Sequence, residues 1–222
     1  MATGTLSPPT EGTIAQLIAF LGDIPPERIR LRPTPGQATE TDVVLVNEKH
    51  ECLCELIDGV LVEKSMGFYE SRLALLLGYF LELHLTANDI GFVLGGDGLI
   101  GIAPGQVRLP DVSFFLWSRF PNRLLPGGSI LRMTPDLAVE ILSPSNRPRE
   151  MERKLEELFS TGCQLVWHVD PVKQTVKVYS SSEKFIELNT GDTLDGGSLL
   201  PGFSLQLAEW FSRAGRRESG SG

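Results

Sequence analysis

Apolar positions recur every three to four residues across "MGFYESRLALLLGYFLELHL" (66–85). Leu73, Leu76, Leu77, Phe80 and Leu81 share one stripe there, which predicts a helix packed on a core. The spacing in "TIAQLIAFLGDI" (13–24) predicts a second helix, ended by the proline-rich stretch that follows it. In "ECLCELIDGVLVEKS" (51–65) the pattern changes to two short β-favouring runs around Asp58-Gly59, a hairpin signal. Glycine and proline punctuate "GFVLGGDGLIGIAPGQVRLPDVSFFLW" (91–117), which predicts two or three strands before a loop-like connection at 119–129. Beyond it come a strand at 137–142, a helix at about 148–161, a strand at 164–171 and a hairpin partner at 175–180. Strand, helix, strand in that order implies a parallel crossover inside a mixed sheet, and so an α/β fold. A short helix closes "LPGFSLQLAEWF". Residues 1–10 read as a flexible leader and 214–222 as a disordered tail, leaving 11–213 as a single domain.

A chain of 222 residues with 41% hydrophobic content can bury a real core. No run approaches the roughly 18 apolar residues of a membrane span, and the start lacks a basic region followed by an apolar one, so a cytoplasmic protein without membrane contact is expected. The net charge of −8 argues against coating nucleic acid by bulk electrostatics, while leaving room for a local basic groove. Cys52, Cys54 and Cys163 fit neither a disulfide framework nor a zinc spacing and read as structural thiols.

The chemistry is concentrated in "PDLAVEILSPSNRPREMERKLEELF" (135–159), where Glu140 stands alone in an apolar strand. A carboxylate in a core needs a partner, because burying it unpaired is costly. Alternation puts Ala138, Glu140 and Leu142 on one face and Leu137, Val139 and Ile141 on the other. Asp111 follows a proline at the start of another apolar run, "RLPDVSFFLW". Two carboxylates entering a core from two strands repel each other unless a hard cation holds both ionised, which points to an oxygen-only Mg²⁺ site. A serine or cysteine hydrolase finds no support, since no G-x-S-x-G occurs.

Pro110-Asp111, a strand carrying Glu140 and a following lysine resemble the PD-(D/E)XK nuclease superfamily. Within it, "CELIDG", "PDV", "PDLAVEILSPSN", "EMERKLEELF" and "LVWHVDP", in this order from about residue 40 to about 210, are similar to the bacterial Uma-type restriction endonuclease family. The resemblance implies a restriction-endonuclease-like mixed sheet flanked by helices, with an additional N-terminal helix and β-hairpin. It implies a Mg²⁺-dependent endonuclease, Mn²⁺ being a possible substitute, that acts on DNA, and it admits a homodimer. Carried over by residue, Asp111, Glu140 and the backbone carbonyl of Ile141 hold the metal, Lys154 is the catalytic lysine and Glu55 an accessory acid. The pattern departs at Leu142, where the superfamily lysine belongs. Lys154, about 60° to the side of the Met151, Leu155 and Leu158 stripe of the next helix, is the substitute.

Plainer readings stand beside these. Asp111 serves as a turn cap, Glu140 pairs with Lys154 or Arg153, and Glu55 pairs across its hairpin. His168 is a half-buried strand residue. Arg147, Arg149 and Arg153 either contact phosphate or decorate a solvated helix start. The rival function is a nuclease-like fold kept as a binding or assembly module without catalysis, which the acidic charge favours.

Overall fold

The computed structural model describes residues 12–49 and 52–215. In chain order the elements are α1 (Ile14–Phe20), α2 (Glu40–Glu48), β1 (Cys54–Ile57), β2 (Val60–Glu63), α3 (Phe68–Ala87), β3 (Gly91–Gly95), β4 (Leu99–Ala103), β5 (Gln106–Arg108) and β6 (Val112–Leu116). They continue with β7 (Ile130–Leu131), β8 (Leu137–Ile141), α4 (Pro148–Ser160), β9 (Leu165–Asp170), β10 (Thr175–Tyr179), β11 (Phe185–Leu188), β12 (Thr193–Gly196), β13 (Leu200–Gln206) and α5 (Leu207–Ala214).

The strands form a five-stranded sheet in the order β2-β1-β5-β4-β7, a six-stranded sheet in the order β11-β10-β9-β8-β6-β3, and the β12-β13 ribbon. Each of the two larger sheets is mixed: β4 runs parallel to β7, and β8 runs parallel to β9. The β8–β9 pair is the expected crossover, and α4 is the connection that a parallel pair requires. Pro148 opens α4 at a position where its missing N–H costs nothing, and the Glu150 carboxylate accepts the Arg147 N–H at 3.2 Å. Asp58 (φ 48°) and Gly59 (φ 78°) are both left-handed, the conformation a two-residue hairpin between β1 and β2 demands.

Inside the six-stranded sheet, β8 is buried on both faces, which is why it reads as a nearly unbroken apolar run. Leu137, Val139 and Ile141 join Leu73, Leu77 and Leu81 of α3 and Trp210 of α5 in the largest core. Ala138 faces the other way, onto Leu155 and Leu158 of α4 and Ile100 of the five-stranded sheet. Glu140 lies on this second face, between the sheets.

Several expectations are refined. Four strands, β3 to β6, occupy 91–117 where two or three were anticipated, because the Gly and Pro positions close tight turns between very short strands. The predicted single sheet is split in two. Nothing in the apolar spacing marked α2, whose start is set by a capping box: the Thr39 N–H donates to Asp42 at 2.8 Å and Asp42 N–H to the Thr39 hydroxyl at 3.4 Å. The last helix runs to Ala214; the expected leader at 1–10 and the tail beyond Gly215 lie outside the described residues. No helix among the described residues is long and apolar enough to cross a membrane.

The α1 segment is pinned to the start of α4. Arg28 donates two hydrogen bonds to Glu150, at 3.0 and 2.8 Å, and Gly22 (φ 88°) presses on the same turn. A methyl group added at Gly22 would sit 2.7 Å from the Glu150 nitrogen and 2.8 Å from its Cα, both backbone atoms. Gly22→Ala should therefore destabilise by about 2 to 4 kcal/mol, combining left-handed strain with a backbone clash. Gly105→Ala (φ 74°, open space) should cost only the strain, about 1 to 2 kcal/mol. Urea unfolding of both variants checks the difference; equal losses would mean that the contact between the α1 loop and α4 carries nothing.

Candidate active site

Three elements converge between the sheets. From the six-stranded sheet come Asp111, directly before β6, and Glu140 on β8. The β6–β8 register ends with Val112 opposite Val139; just beyond it the Asp111 N–H donates to the Val139 carbonyl at 2.9 Å and its carboxylate accepts the Ile141 N–H, so Asp111 is bound to β8 on either side of Glu140. The five-stranded sheet supplies Glu55 on β1, Lys64 just after β2 and Arg108 on β5, and α4 supplies Lys154 and Glu157. Residue exposures of 4% for Glu55, 5% for Asp111 and 6% each for Glu140 and Lys154 place the group away from bulk water. Interactions between charges are correspondingly strong.

The Lys154 ammonium is the hub. Its Nζ lies 2.7 Å from Glu140 Oε1 and 2.8 Å from Glu55 Oε1. Glu55 is further held by Arg108 at 2.9 Å and by the Leu109 N–H at 2.9 Å, and Arg108 also binds Glu157. The Asp111 carboxylate accepts the Ile141 N–H at 2.6 Å through Oδ2, while Oδ1 lies 2.8 Å from Lys64 Nζ. Lys64 donates as well to the carbonyls of Leu109 (2.7 Å) and Gly96 (3.0 Å). Arg153 links Asp58 to Glu157 at the edge of the network.

In this connected cluster five carboxylates (Glu55, Asp58, Asp111, Glu140, Glu157) face four cations (Lys64, Arg108, Arg153, Lys154). Glu140 carries the deficit. Burial pushes its pKa up to about 7, and the charges of Asp111 and Glu55 add to this against the opposing pull of Lys154 and Lys64. Burial also disfavours the Glu55 anion, but Lys154, Arg108 and the Leu109 N–H outweigh it and hold Glu55 well below the usual carboxylate range. Lys154 is raised despite its burial, because Glu140 and Glu55 flank it, so it remains an ammonium.

All four side chains singled out from the sequence thus meet in one place. Glu55 does not pair across its hairpin, where Val62 stands opposite; its partners come from β5 and α4. Asp111 is more than a turn cap, since its carboxylate bridges to the backbone of β8. Of the arginines at the start of α4, Arg153 is built into the network, while Arg149 pairs with Asp23. The backbone of Ile141 lies beside the Asp111 carboxylate. Sequence reasoning missed Lys64 and Arg108, which stand at strand ends where a charge usually meets solvent. His168 carried a readable signal: like Glu140, it is a polar residue inside an apolar run. It is buried and stands opposite Glu140 in the parallel β8–β9 pair. Burial, with the charges of Lys154 and Lys177, depresses its pKa to about 4.

A cavity of about 390 Å³ between α3 and the Gly95–Asp97 turn has Asp111 in its wall; Glu140, Lys154 and Glu55 do not border it. Among the described residues, no cluster of three or more acidic, histidine or cysteine side chains is arranged as a ready-made cation cage.

A family model described as "Uma2: Putative restriction endonuclease" matches residues 43–208. A solved structure from Anabaena variabilis ATCC 29413, described as "a putative nuclease belonging to DUF820", is 22% identical, covers 74% of this chain and 92% of its own length, and superposes with a TM-score of 0.65. At that identity it speaks for the fold. No curated protein matches the chain at a significant level.

The two neighbours Glu140 and His168 pull stability in opposite directions with pH. Between 4.5 and about 7 the folded state keeps a proton on Glu140 that the unfolded chain releases, so this contribution is lost as pH rises. Between about 4 and 6.5 the unfolded chain binds a proton that His168 refuses, so this contribution is lost as pH falls. In EDTA buffer, Glu140→Gln should make unfolding free energy climb more steeply with pH across that window than in wild type, and His168→Phe should make it decline. Parallel pH profiles for all three proteins would contradict the assignment.

Proposed function

Given that the chain belongs to the Uma2 family, we propose that it is a Mg²⁺-dependent endonuclease that hydrolyses phosphodiester bonds of DNA. The observation that carries this reading is the buried meeting of Asp111, Glu140 and Lys154: one carboxylate anchored to the backbone on either side of the other, with an ammonium 2.7 Å from Glu140.

The residues present fit a divalent ion. Asp111 and Glu140 offer hard oxygen donors side by side, with the Ile141 backbone carbonyl as the proposed third. The charge deficit at Glu140 would be relieved by a cation. Lys64 can yield Asp111 Oδ1 and still keep the carbonyls of Leu109 and Gly96 as acceptors. When bound, the ion supplies Lewis acidity toward a phosphodiester oxygen and toward water.

The chain's own groups do the rest. The Ile141 N–H fixes the Asp111 carboxylate, so the donor is oriented before anything binds. Lys154 is held from two sides and stays charged, positioned to stabilise negative charge that develops on the phosphoryl group. Glu55, kept anionic by Arg108, acts through Lys154 as its positioning residue. Because the cluster is dry, that stabilisation is far larger than a surface lysine would supply.

A second reading, a nuclease-like module without catalysis, is favoured by one feature: Lys64 on Asp111 and Lys154 on Glu140 already match the two carboxylates with ammonium groups. Cleavage of supercoiled plasmid and of single-stranded DNA at low salt, with Mg²⁺, Mn²⁺ or EDTA, separates the two. Cleavage should need the metal and disappear in Asp111→Asn. Lys154→Met should lower the rate by about two to four orders of magnitude while calorimetry shows metal binding intact. A wild-type protein that binds no Mn²⁺ or Mg²⁺ would establish the non-catalytic module instead.

A further inference from the structure

One row of side chains crosses the six-stranded sheet on the face of the candidate site. Glu140 stands opposite His168 and His168 opposite Lys177, with Asp111 bound to the backbone of Val139 and Ile141 on either side of Glu140. Lys177 is thus two strand spacings from Glu140, about 10 Å. Where the row leaves the carboxylates, a cavity of about 590 Å³ opens between α4 and the β9–β10 hairpin, a size suited to a small ligand. Its wall includes His168, buried and with an Nε2 that has no hydrogen-bond partner, and Tyr179, whose ring centroid is 4.9 Å from that of the imidazole. A buried polar atom left unsatisfied costs stability unless something is to satisfy it.

The rim carries two cations without carboxylate partners among the described residues. Lys177 rests over the Phe185 ring at 4.7 Å, and Arg147, exposed, makes a single 3.2 Å bond to the Pro144 carbonyl. Asp170 also borders the cavity, but it is engaged by Lys173 and by the N–H groups of Val172 and Lys173. Two carboxylates are left to oppose an anion there, Glu152 on α4 and Glu187, which stands across from Lys177 in the β10–β11 pair. In a chain of net charge −8, a partly enclosed recess with an aromatic wall, an unsatisfied imidazole and two cations that form no ion pair stands apart.

We infer that this cavity holds the nucleotide next to the scissile phosphate: the base lies against Tyr179, its edge bonds to His168, and its phosphate is held by Lys177 and Arg147. The inference rests on the nuclease reading for its occupant. Stacking on an aromatic side chain tolerates any base, while a hydrogen bond from the imidazole to the base edge favours some bases over others. The cavity would therefore supply grip and a mild sequence preference beside the cut.

The test separates binding from cleavage. Fluorescein-labelled single-stranded DNA dodecamers, one of them substituted with 4-thiothymidine, are titrated in EDTA with wild type, Lys177→Glu, Tyr179→Ala and Tyr179→Phe. These positions lie outside the carboxylate–lysine cluster. Anisotropy should show affinity reduced at least tenfold in Lys177→Glu and Tyr179→Ala and nearly unchanged in Tyr179→Phe, which keeps the ring. Photo-crosslinks should map to the peptide spanning β9 and β10. Wild-type affinity in both Lys177→Glu and Tyr179→Ala, or crosslinks confined to other segments, would overturn the proposal. A protein that passes these tests yet never cuts DNA with Mg²⁺ loses the nuclease reading and keeps the cavity. One that cuts DNA with an unchanged KM in both variants loses the cavity and keeps the nuclease.

Discussion

The structure turns on a single ammonium group. Lys154 has left water, and the cost of that is met only because Glu140 and Glu55 lie against it from two different sheets. Remove it and two buried carboxylates face each other with Asp111 close by. The position of α4, the junction of the sheets and the orientation of β1 are therefore tied to one charge. Such clusters are weak sources of net stability, since desolvation takes back most of what attraction gives, but they are strongly specific about geometry. A well-packed apolar substitute would hold the sheets together as firmly, and it would have no chemistry.

The parts of this arrangement that were legible in the sequence share one property: they break a pattern. Glu140 interrupts an apolar strand, Asp111 opens one, and Lys154 flanks a regular helical stripe. The helices α1, α3 and α4 and the strands β8 to β10 were legible because their periods are long or their apolar runs clean. Lys64 and Arg108 broke nothing. A lysine or arginine at the end of a short strand matches the expectation for a solvent-facing position, and only the packing of one sheet on another encloses it. The short strands β3 to β6 and the split into two sheets were hidden for a related reason, since strands of three to five residues joined by connections of two or three leave too few positions to establish a period. His168 broke the pattern as plainly as Glu140 did, and its significance emerged only when the parallel register brought the two side by side.

On the proposed nuclease reading, the packing also explains how the chain can do without a lysine at position 142. Leu142 stands just past the end of β8, and the wall of a cavity is what it builds there. With the cation delivered from α4 instead, the strand direction is freed for apolar packing and the charge arrives perpendicular to it. The chemistry proposed for this cluster requires an ammonium at a point in space, and the fold brings Lys154 to the carboxylates by a different path.

That path has a consequence for how the protein comes into being. Glu55 and Lys154 are 99 residues apart in the chain, and Asp111 and Glu140 both precede the lysine. During synthesis every acidic member of the inner cluster leaves the ribosome before the cation that reconciles them, so the earlier strands must wait, hydrated and unsealed, until α4 is made and docks. Contacts of such long sequence separation form late and slowly. Closure of the sheets and completion of the cluster are then one event, and a chain that stops short of α4 leaves its acidic groups without the cation they share.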